Sequence, residues 1–300
     1  MKTVGILFII AICWLWGSPT FGSEASGDNK VTEKGSDTTL DEWERDPDWL
    51  KAKELEQLGI DRMMGKRNRV ELDVGYEHLS DDYGNWENVR FEYLRRELTF
   101  VYCVDLEGFS RKEGRGALLV GRIYKDWNPW LYTYTALAVG TNVDYLPLFR
   151  FDHDFNFKFG EKKDYFFTVG AAYVDYHVNH SDVILYAGLT GYFGKWILGY
   201  RIFGNISNPG SVWSFSNTFE ATYGSEGTHW TSLLFSFGNQ AYYATELASP
   251  ENVAQKSWDL LLRHRHWIGK NWGVKAEAGF FRLRDAYKKY GLLLGAFLDF

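Results

Sequence analysis

One short stretch of this sequence has the residue types of a catalytic site. Residues 177–182 contain His177, His180, Ser181 and Asp182, which together match the composition of a hydrolase triad. Nucleophilic catalysis needs a serine that is hydrogen-bonded to a histidine, and an acid that orients the histidine. Proximity along the chain does not supply that geometry. A lipid or glycan hydrolase and an ordinary polar loop are therefore both compatible with this stretch.

A second stretch, Arg263-His264-Arg265-His266, is basic and could meet phosphate or bind a metal. On a β-strand, however, the two arginines would lie on one face and the two histidines on the other. The sequence also has no phosphate loop, paired-cysteine motif or dinucleotide fingerprint. We therefore predict no catalytic residues, no metal site and no cofactor, and a protein that is not an enzyme.

Polar and apolar residues alternate over most of the chain, which is the periodicity of β-strands. In residues 149–159, phenylalanines occupy one face and charged or polar side chains the other. A soluble sandwich would bury the phenylalanine face, whereas a transmembrane barrel would turn it to lipid and the charges to a wet lumen. The lumen-lining candidates are Arg90, Glu92, Asp105, Arg122, Arg150, Asp152, Asp154, Lys158, Arg201, Glu220, Arg263 and Arg265.

The composition of the chain and the spacing of its predicted connections favour the barrel. Aromatic residues make up 18% of the chain, yet the mean hydropathy is −0.32, and no apolar run after residue 22 is long enough for a transmembrane helix. We predict an all-β, transmembrane antiparallel barrel of the bacterial outer membrane with about 14 strands, and 12 as the alternative. Short connections are expected to alternate with longer loops, of which 240–255 is the longest. Nine tryptophans near the predicted strand ends suggest interfacial girdles.

The barrel is expected to occupy residues 67–300. Residues 1–22 have the positive start, apolar run and small terminal residues of an export signal, which predicts a cell outer membrane location. Residues 23–66 are predicted to form a periplasmic arm with a short helix at 46–59, which is either a plug or a tail. The formal net charge of −6 argues against nucleic acid as a partner.

The last strand ends on an aromatic residue after strict alternation. Tyr290, Leu298 and Phe300 lie on its apolar face and resemble the C-terminal signal through which outer-membrane barrels meet the barrel-assembly machinery. Together with Val74-Gly75-Tyr76-Glu77-His78-Leu79-Ser80, residues 169–173 and residues 198–201, this strand is similar to the YaiO family of outer-membrane β-barrel proteins. The resemblance implies an outer-membrane location, contact with membrane lipids and lipopolysaccharide, and a link to surface polysaccharide.

Three functions remain open at the level of sequence. The first is a barrel without enzymatic activity that acts as a narrow channel or as a component of an envelope or polysaccharide export system, passing a polysaccharide or small solute. The second is the outer-membrane lipid or glycan hydrolase. The third is a closed structural or surface-interaction barrel, because interior charges line a pore and build an ion-pair network equally well.

Overall fold

A computed structural model describes residues 47–64, 67–80, 83–177, 179–241, 254–284 and 286–300. The predicted export signal and residues 23–46 lie outside the described residues. One helix, α1 (Pro47–Met64), precedes the barrel and begins on the proline expected at a first helical position. It runs beyond residue 59, where the sequence predicted its end. No helix in the described ranges is both long and apolar enough to cross a membrane.

The remaining elements are antiparallel strands that close on themselves, so the predicted barrel of 14 strands is confirmed. Each strand pairs with its neighbours in sequence, and β1 pairs with β14 to complete the ring. The strands are β1 (Asn68–Leu79), β2 (Asn85–Arg96), β3 (Phe100–Arg111), β4 (Gly114–Asn128), β5 (Leu131–Gly140), β6 (Pro147–Phe159), β7 (Tyr165–Tyr176), β8 (His180–Phe193), β9 (Trp196–Asn208), β10 (Val212–Ser225), β11 (His229–Ala241), β12 (Ala254–Trp267), β13 (Trp272–Leu283) and β14 (Tyr287–Asp299).

The strand register assigns every side chain to one of two faces. The pairs Asp73↔Arg90 and Arg90↔Glu107 place inward residues opposite one another on neighbouring strands. The pairs Leu72↔Phe91 and Phe91↔Leu106 do the same for outward residues. The outward leucines, phenylalanines and valines are exposed, whereas charged inward residues are among the most buried. This inside-out distribution is typical of a barrel whose outer face meets lipid.

The two ends of the barrel are called here the terminal mouth, where β1 begins and β14 ends, and the far mouth opposite. The expected alternation of connection lengths is wrong for much of the far mouth. Lys112 and Glu113 alone join β3 to β4, and three further far-mouth connections span 177–179, 209–211 and 284–286. The connection at 242–253 is the longest, as predicted. Tight turns suffice because neighbouring antiparallel strands need only two residues to reverse.

The predicted tryptophan girdle holds for only part of the set. Trp196, Trp213 and Trp272 are outward and exposed. Trp86 and Trp267 are buried at inward positions instead, and Trp230 is also inward. Position along a strand does not fix the face of the barrel, because face depends on the odd or even register of each residue.

Candidate functional site in the barrel interior

All twelve lumen-lining candidates lie at inward positions, but they do not share one environment. Seven are buried by other interior side chains, and five are half-exposed. The buried group is Arg90, Glu92, Asp105, Arg122, Arg150, Asp152 and Asp154. The half-exposed group is Lys158, Arg201, Glu220, Arg263 and Arg265. The interior is therefore not a uniformly lined pore.

One side of the interior, called here the filled half, is packed by the inward residues of β13, β14 and β1–β7. Its centre is a chain of ion pairs. Asp73 accepts hydrogen bonds from Arg90 Nε at 2.9 Å and from Lys275 Nζ at 2.7 Å. Glu71 continues the chain to Lys275 at 3.2 Å and to Arg265 at 2.6 Å. Each charge in this chain of ion pairs thus has an opposite partner, which offsets the free energy of its desolvation.

A second network continues across β2–β6. Arg122 donates to Asp105 at 2.8 Å and also binds Glu92, while Arg150 and Asp152 pair at 2.8 Å. A small cleft between these groups is lined by their charged side chains and by Val120, Ala136 and Ala138. These charged side chains are paired with one another, so the networks stabilise the wall and leave little room for a solute in this half.

Apolar and aromatic side chains close the filled half at the far mouth. The connection between β5 and β6 folds inward, and Tyr145 and Leu146 on it are fully buried. The Arg111 guanidinium lies 3.9 Å from the Trp86 ring centre and 4.3 Å from that of Tyr145. A cation between two aromatic faces forms a rigid contact, so this side is capped as well as filled.

The inward face of β9–β12 is different and is called here the polar groove. Most of its mid-strand positions are half-exposed and many carry small side chains, although Ser232 and Leu234 of β11 are buried. Thr218 and Ser236 hydroxyls bond at 2.9 Å across β10 and β11. Arg201 has no ion-pair partner within the part of the chain that the structure describes. The other half-exposed members at inward positions are Gly199, Phe203, Asn205, Ser216, Glu220, Gly238, Ser257, Asp259, Leu261, Arg263 and Arg265.

Glu226 reaches across the terminal mouth, at one end of the polar groove. It lies in the turn between β10 and β11, yet its Oε1 accepts hydrogen bonds from Arg69 Nη2 at 3.1 Å and Arg96 Nη2 at 3.2 Å. Arg69 lies on β1 and Arg96 on β2, and β12–β14 stand between them and this turn. Neighbouring strands are about 4.8 Å apart, so these contacts require the turn to lean across the mouth. We call this arrangement the Glu226 latch.

Further bonds hold the latch in place. Trp230 Nε1 donates to Glu226 Oε2 at 2.8 Å, and Arg69 Nε donates to Asp299 Oδ1 at 2.7 Å. Burial opposes ionisation of Glu226, but Arg69 and Arg96 outweigh it and hold the pKa of this carboxyl below its ordinary value. The latch is therefore charged at neutral pH.

Helix α1 contacts the terminal mouth on the opposite side. Lys53 Nζ lies 2.9 Å from Asp126 Oδ2, and Asp126 also pairs with Lys158 at 2.8 Å. The polar residues Lys53 and Gln57 face the barrel, whereas Leu55 and Leu58 are exposed. The helix therefore meets the barrel through its polar residues, because the mouth of the barrel offers charges to it. Burial disfavours the charged amine, but Asp126 and Glu56 raise the pKa of Lys53 above its ordinary value.

Replacing Lys53 with alanine is expected to loosen α1. A hydrogen-bonded ion pair that is mostly buried contributes about 1.5–3 kcal/mol, so the undocked helix should become at least about tenfold more populated. Limited proteolysis within 47–64 measures this as a faster cleavage rate in the folded barrel. Lys51→Ala, on the exposed side of the same helix, is the control. Equal cleavage rates for the two variants would mean that Lys53 does not hold the helix.

The structure separates the residues of the two stretches that suggested chemistry. Strand β8 begins at His180, so residues 180–182 are strand rather than loop. His180 and Asp182 are buried inside and lie 3.3 Å apart, whereas Ser181 lies on the outward face. A serine on the opposite face of the strand cannot hydrogen-bond to His180, so no catalytic triad forms.

The basic stretch divides as expected. Arg263 pairs inside with Glu277 at 2.9 Å, while His264 lies outside and its Nδ1 is 2.8 Å from the Thr231 hydroxyl. Within the described residues, no group of three or more histidine, cysteine or acidic side chains is placed to hold a metal ion.

The lumen-lining predictions omitted several residues on which the interior depends. Arg69, Arg96 and Lys289 share the inward register with candidates on the same or neighbouring strands, so strict alternation could have identified them. Glu226 has no such signal. It lies in a turn, and its partners are distant in the sequence.

A closed antiparallel barrel with an apolar exterior and a charged interior defines a transmembrane β-barrel of the outer-membrane type. The family model described as the YaiO membrane beta barrel domain matches residues 67–243, and the chain belongs to this family. The resemblance to the YaiO family that the sequence indicated is thereby confirmed.

Solved structures with a similar fold include the CymD monoaromatic hydrocarbon channel. The TM-score is 0.51 at 8% sequence identity, with 84% of this chain and 93% of that chain covered. Omp33, an outer membrane protein of Acinetobacter baumannii, has a TM-score of 0.48 at 12% identity, covering 79% and 100% of the two chains. At such identities the likeness to CymD shows a shared fold only.

Proposed function

We propose that this protein is a barrel of the outer membrane without enzymatic activity, whose polar groove is a narrow passage closed at the terminal mouth. The single observation that carries the proposal is the asymmetry of the interior. Most charges of the filled half are paired with one another, whereas β9–β12 present small hydroxyl side chains and half-exposed charges. Water-accessible polar surface along one wall is what a hydrophilic solute needs to cross a barrel.

The terminal mouth faces the periplasm in this proposal, because an exported chain whose barrel begins and ends at the same mouth leaves its termini there. Tyr290, Leu298 and Phe300 remain the proposed contact for the barrel-assembly machinery. All three are exposed on the outer face, and Phe300 closes the ring through backbone hydrogen bonds with Asn68 at 2.8 Å. The same outer face is the proposed contact with lipid and lipopolysaccharide. The solute is a small hydrophilic molecule or an extended polymer such as a polysaccharide.

Thiol labelling tests whether the polar groove holds water. Ser236→Cys in a Cys103→Ser background is expected to react with a small hydrophilic methanethiosulfonate several times faster than Ala136→Cys in the same background. Ser236 is half-exposed in the groove, whereas Ala136 is buried in the filled half. Heat-modifiable gel mobility shows that each variant has folded. Equal, slow labelling at both positions would contradict a passage and would favour the closed structural barrel.

A further inference from the structure

The outer face of the barrel has a polar side chain where lipid cannot satisfy it. His153 is the central residue of β6 (Pro147–Phe159) and lies at an outward position between Phe151 and Phe155. At about 3.3 Å per residue, roughly 20 Å of strand separates it from either end. This depth is in the hydrocarbon region, where neither water nor lipid headgroups reach.

One ring nitrogen of His153 is satisfied and the other is not. Nδ1 lies 2.8 Å from the Thr135 hydroxyl. The Phe155 ring packs edge-on against the imidazole, with ring centres 4.9 Å apart. Nε2 has no hydrogen-bond partner within the described part of the chain. A polar group left unbonded in hydrocarbon is strongly unfavourable, so this nitrogen calls for a partner that is itself a protein.

The two residues that face His153 across the neighbouring strands are small, although Phe151 and Phe155 flank it along its own strand. Along the strand register, Thr135 and Ala171 flank His153 on the neighbouring strands. Small and polar residues let two membrane-embedded surfaces come together, whereas bulky side chains cover most of the rest of the outer face. We call Thr135, His153 and Ala171 the His153 patch.

We propose that the His153 patch is the surface through which two copies of this chain pair across a two-fold axis in the membrane. A two-fold axis brings His153 Nε2 against the same atom of the partner's His153. One imidazole then donates and the other accepts, because neutral histidine exists in two tautomers. The Thr135 hydroxyl suits both, since it either donates to or accepts from Nδ1. The patch is thus complementary to itself, as a symmetric dimer interface requires.

Asn217 provides a matched comparison on the other side of the barrel. It is also outward and near the middle of its strand, but its side-chain oxygen accepts a hydrogen bond from the Tyr200 hydroxyl at 2.8 Å. Tyr200 and the neighbouring Phe219 are bulky, with ring centres 4.7 Å apart. This region therefore lacks the small side chains of the His153 patch, and Asn217→Leu serves as the control.

The test measures pairing of the full-length protein in detergent micelles and in membranes. His153→Phe is expected to raise the dimer dissociation constant roughly 3- to 20-fold in sedimentation experiments, the range for a hydrogen bond between membrane-embedded segments. Asn217→Leu is expected to leave it unchanged. Retained heat-modifiable mobility shows that the barrel is intact in each variant.

Cysteine cross-linking in outer-membrane vesicles locates the contact. In a Cys103→Ser background, His153→Cys treated with a short membrane-permeant bis-maleimide is expected to give a cross-linked species of twice the chain mass, because a hydrogen bond between the two imidazoles leaves the paired Cβ atoms too far apart for a direct disulfide. Leu233→Cys, which lies outward on β11, is not expected to cross-link. A cross-link only to a protein of different mass would overturn the second copy as the partner. Wild-type protein that is monomeric in micelles and a His153→Cys variant that stays uncross-linked in membranes would overturn the pairing itself.

Discussion

Replacing Glu226 with alanine is expected to convert a closed barrel into a conducting one. The variant removes the carboxylate that Arg69 and Arg96 share across the terminal mouth, at 3.1 and 3.2 Å. It also removes the acceptor of the Trp230 indole. The turn then has no ionic contact with the distant wall, so it should swing outward and open the polar groove. Single-channel recordings in planar bilayers should show conductance steps several-fold larger than those of the wild-type protein.

A control in the same turn separates loss of the latch from general loosening. Thr228→Ala removes a hydroxyl that bonds to the Ser225 carbonyl at 3.0 Å but leaves Glu226 and both arginines in place. This variant is expected to remain closed. If Glu226→Ala folds into a heat-modifiable barrel and still shows no steps, the passage does not exist, and the closed structural barrel becomes the better description.

The same latch predicts a pH dependence with a definite sign. Its contribution is complete above the ordinary glutamate pKa of about 4.3 and is lost as the pH falls through the lowered pKa of Glu226. Wild-type conductance should therefore be low near neutral pH and rise only in strong acid. Glu226→Gln should conduct without this rise, because its amide cannot titrate. A rise of equal size in Glu226→Gln would assign the acid effect to other groups.

Replacing Asp73 with alanine is expected to have the largest effect on stability. Asp73 is fully buried, and its loss leaves Arg90 and Lys275 without the carboxylate that now binds both. Removing one partner from a buried ion pair destabilises a protein by about 3–5 kcal/mol, because the remaining charge stays desolvated. Urea unfolding of the barrel in lipid vesicles, followed by the loss of heat-modifiable mobility, measures the change.

The control for Asp73 is a carboxylate whose ion pair is open to solvent. Glu97 pairs with Arg95 near the terminal mouth, and both side chains are substantially exposed. Glu97→Ala is expected to change the free energy of unfolding by about 1 kcal/mol or less. Asp73→Asn should fall between the two, since it keeps hydrogen-bonding capacity without the charge. A loss for Asp73→Ala as small as that for Glu97→Ala would mean that the network does not support the barrel.

Much of the barrel could be predicted from local sequence. Alternation with period two is a property of each strand by itself, so the strand count and the inward face of residues such as Arg90 and Arg150 were accessible without coordinates. The start of α1 at Pro47 was accessible for the same reason, since proline favours a first helical turn. The end of the helix could not be predicted from the sequence, because the residues near it carry only a weak helix-stop signal.

The division of the interior into a filled half and a polar groove was decided by tertiary structure. Arg150 and Arg201 look alike in an alternating pattern, yet one is buried beside Asp152 and the other is half-exposed. The difference depends on what faces each side chain across the lumen. The inward fold of Tyr145 and Leu146 has the same origin, since a connection can lie outside or inside a barrel with the same sequence signals.

Sites whose residues meet only in the folded barrel could likewise not be predicted from the sequence. His180, Ser181 and Asp182 are adjacent in the chain, but the strand turns Ser181 away from the other two. Glu226 and Arg69 are far apart in the chain, yet closure of the ring brings them together. The sequence by itself determined a two-sided wall between lipid and water, because the face of each residue follows from its own strand. The tertiary structure alone decided which interior charges neutralise one another and where space remains, because those contacts form only when the strands close into a ring.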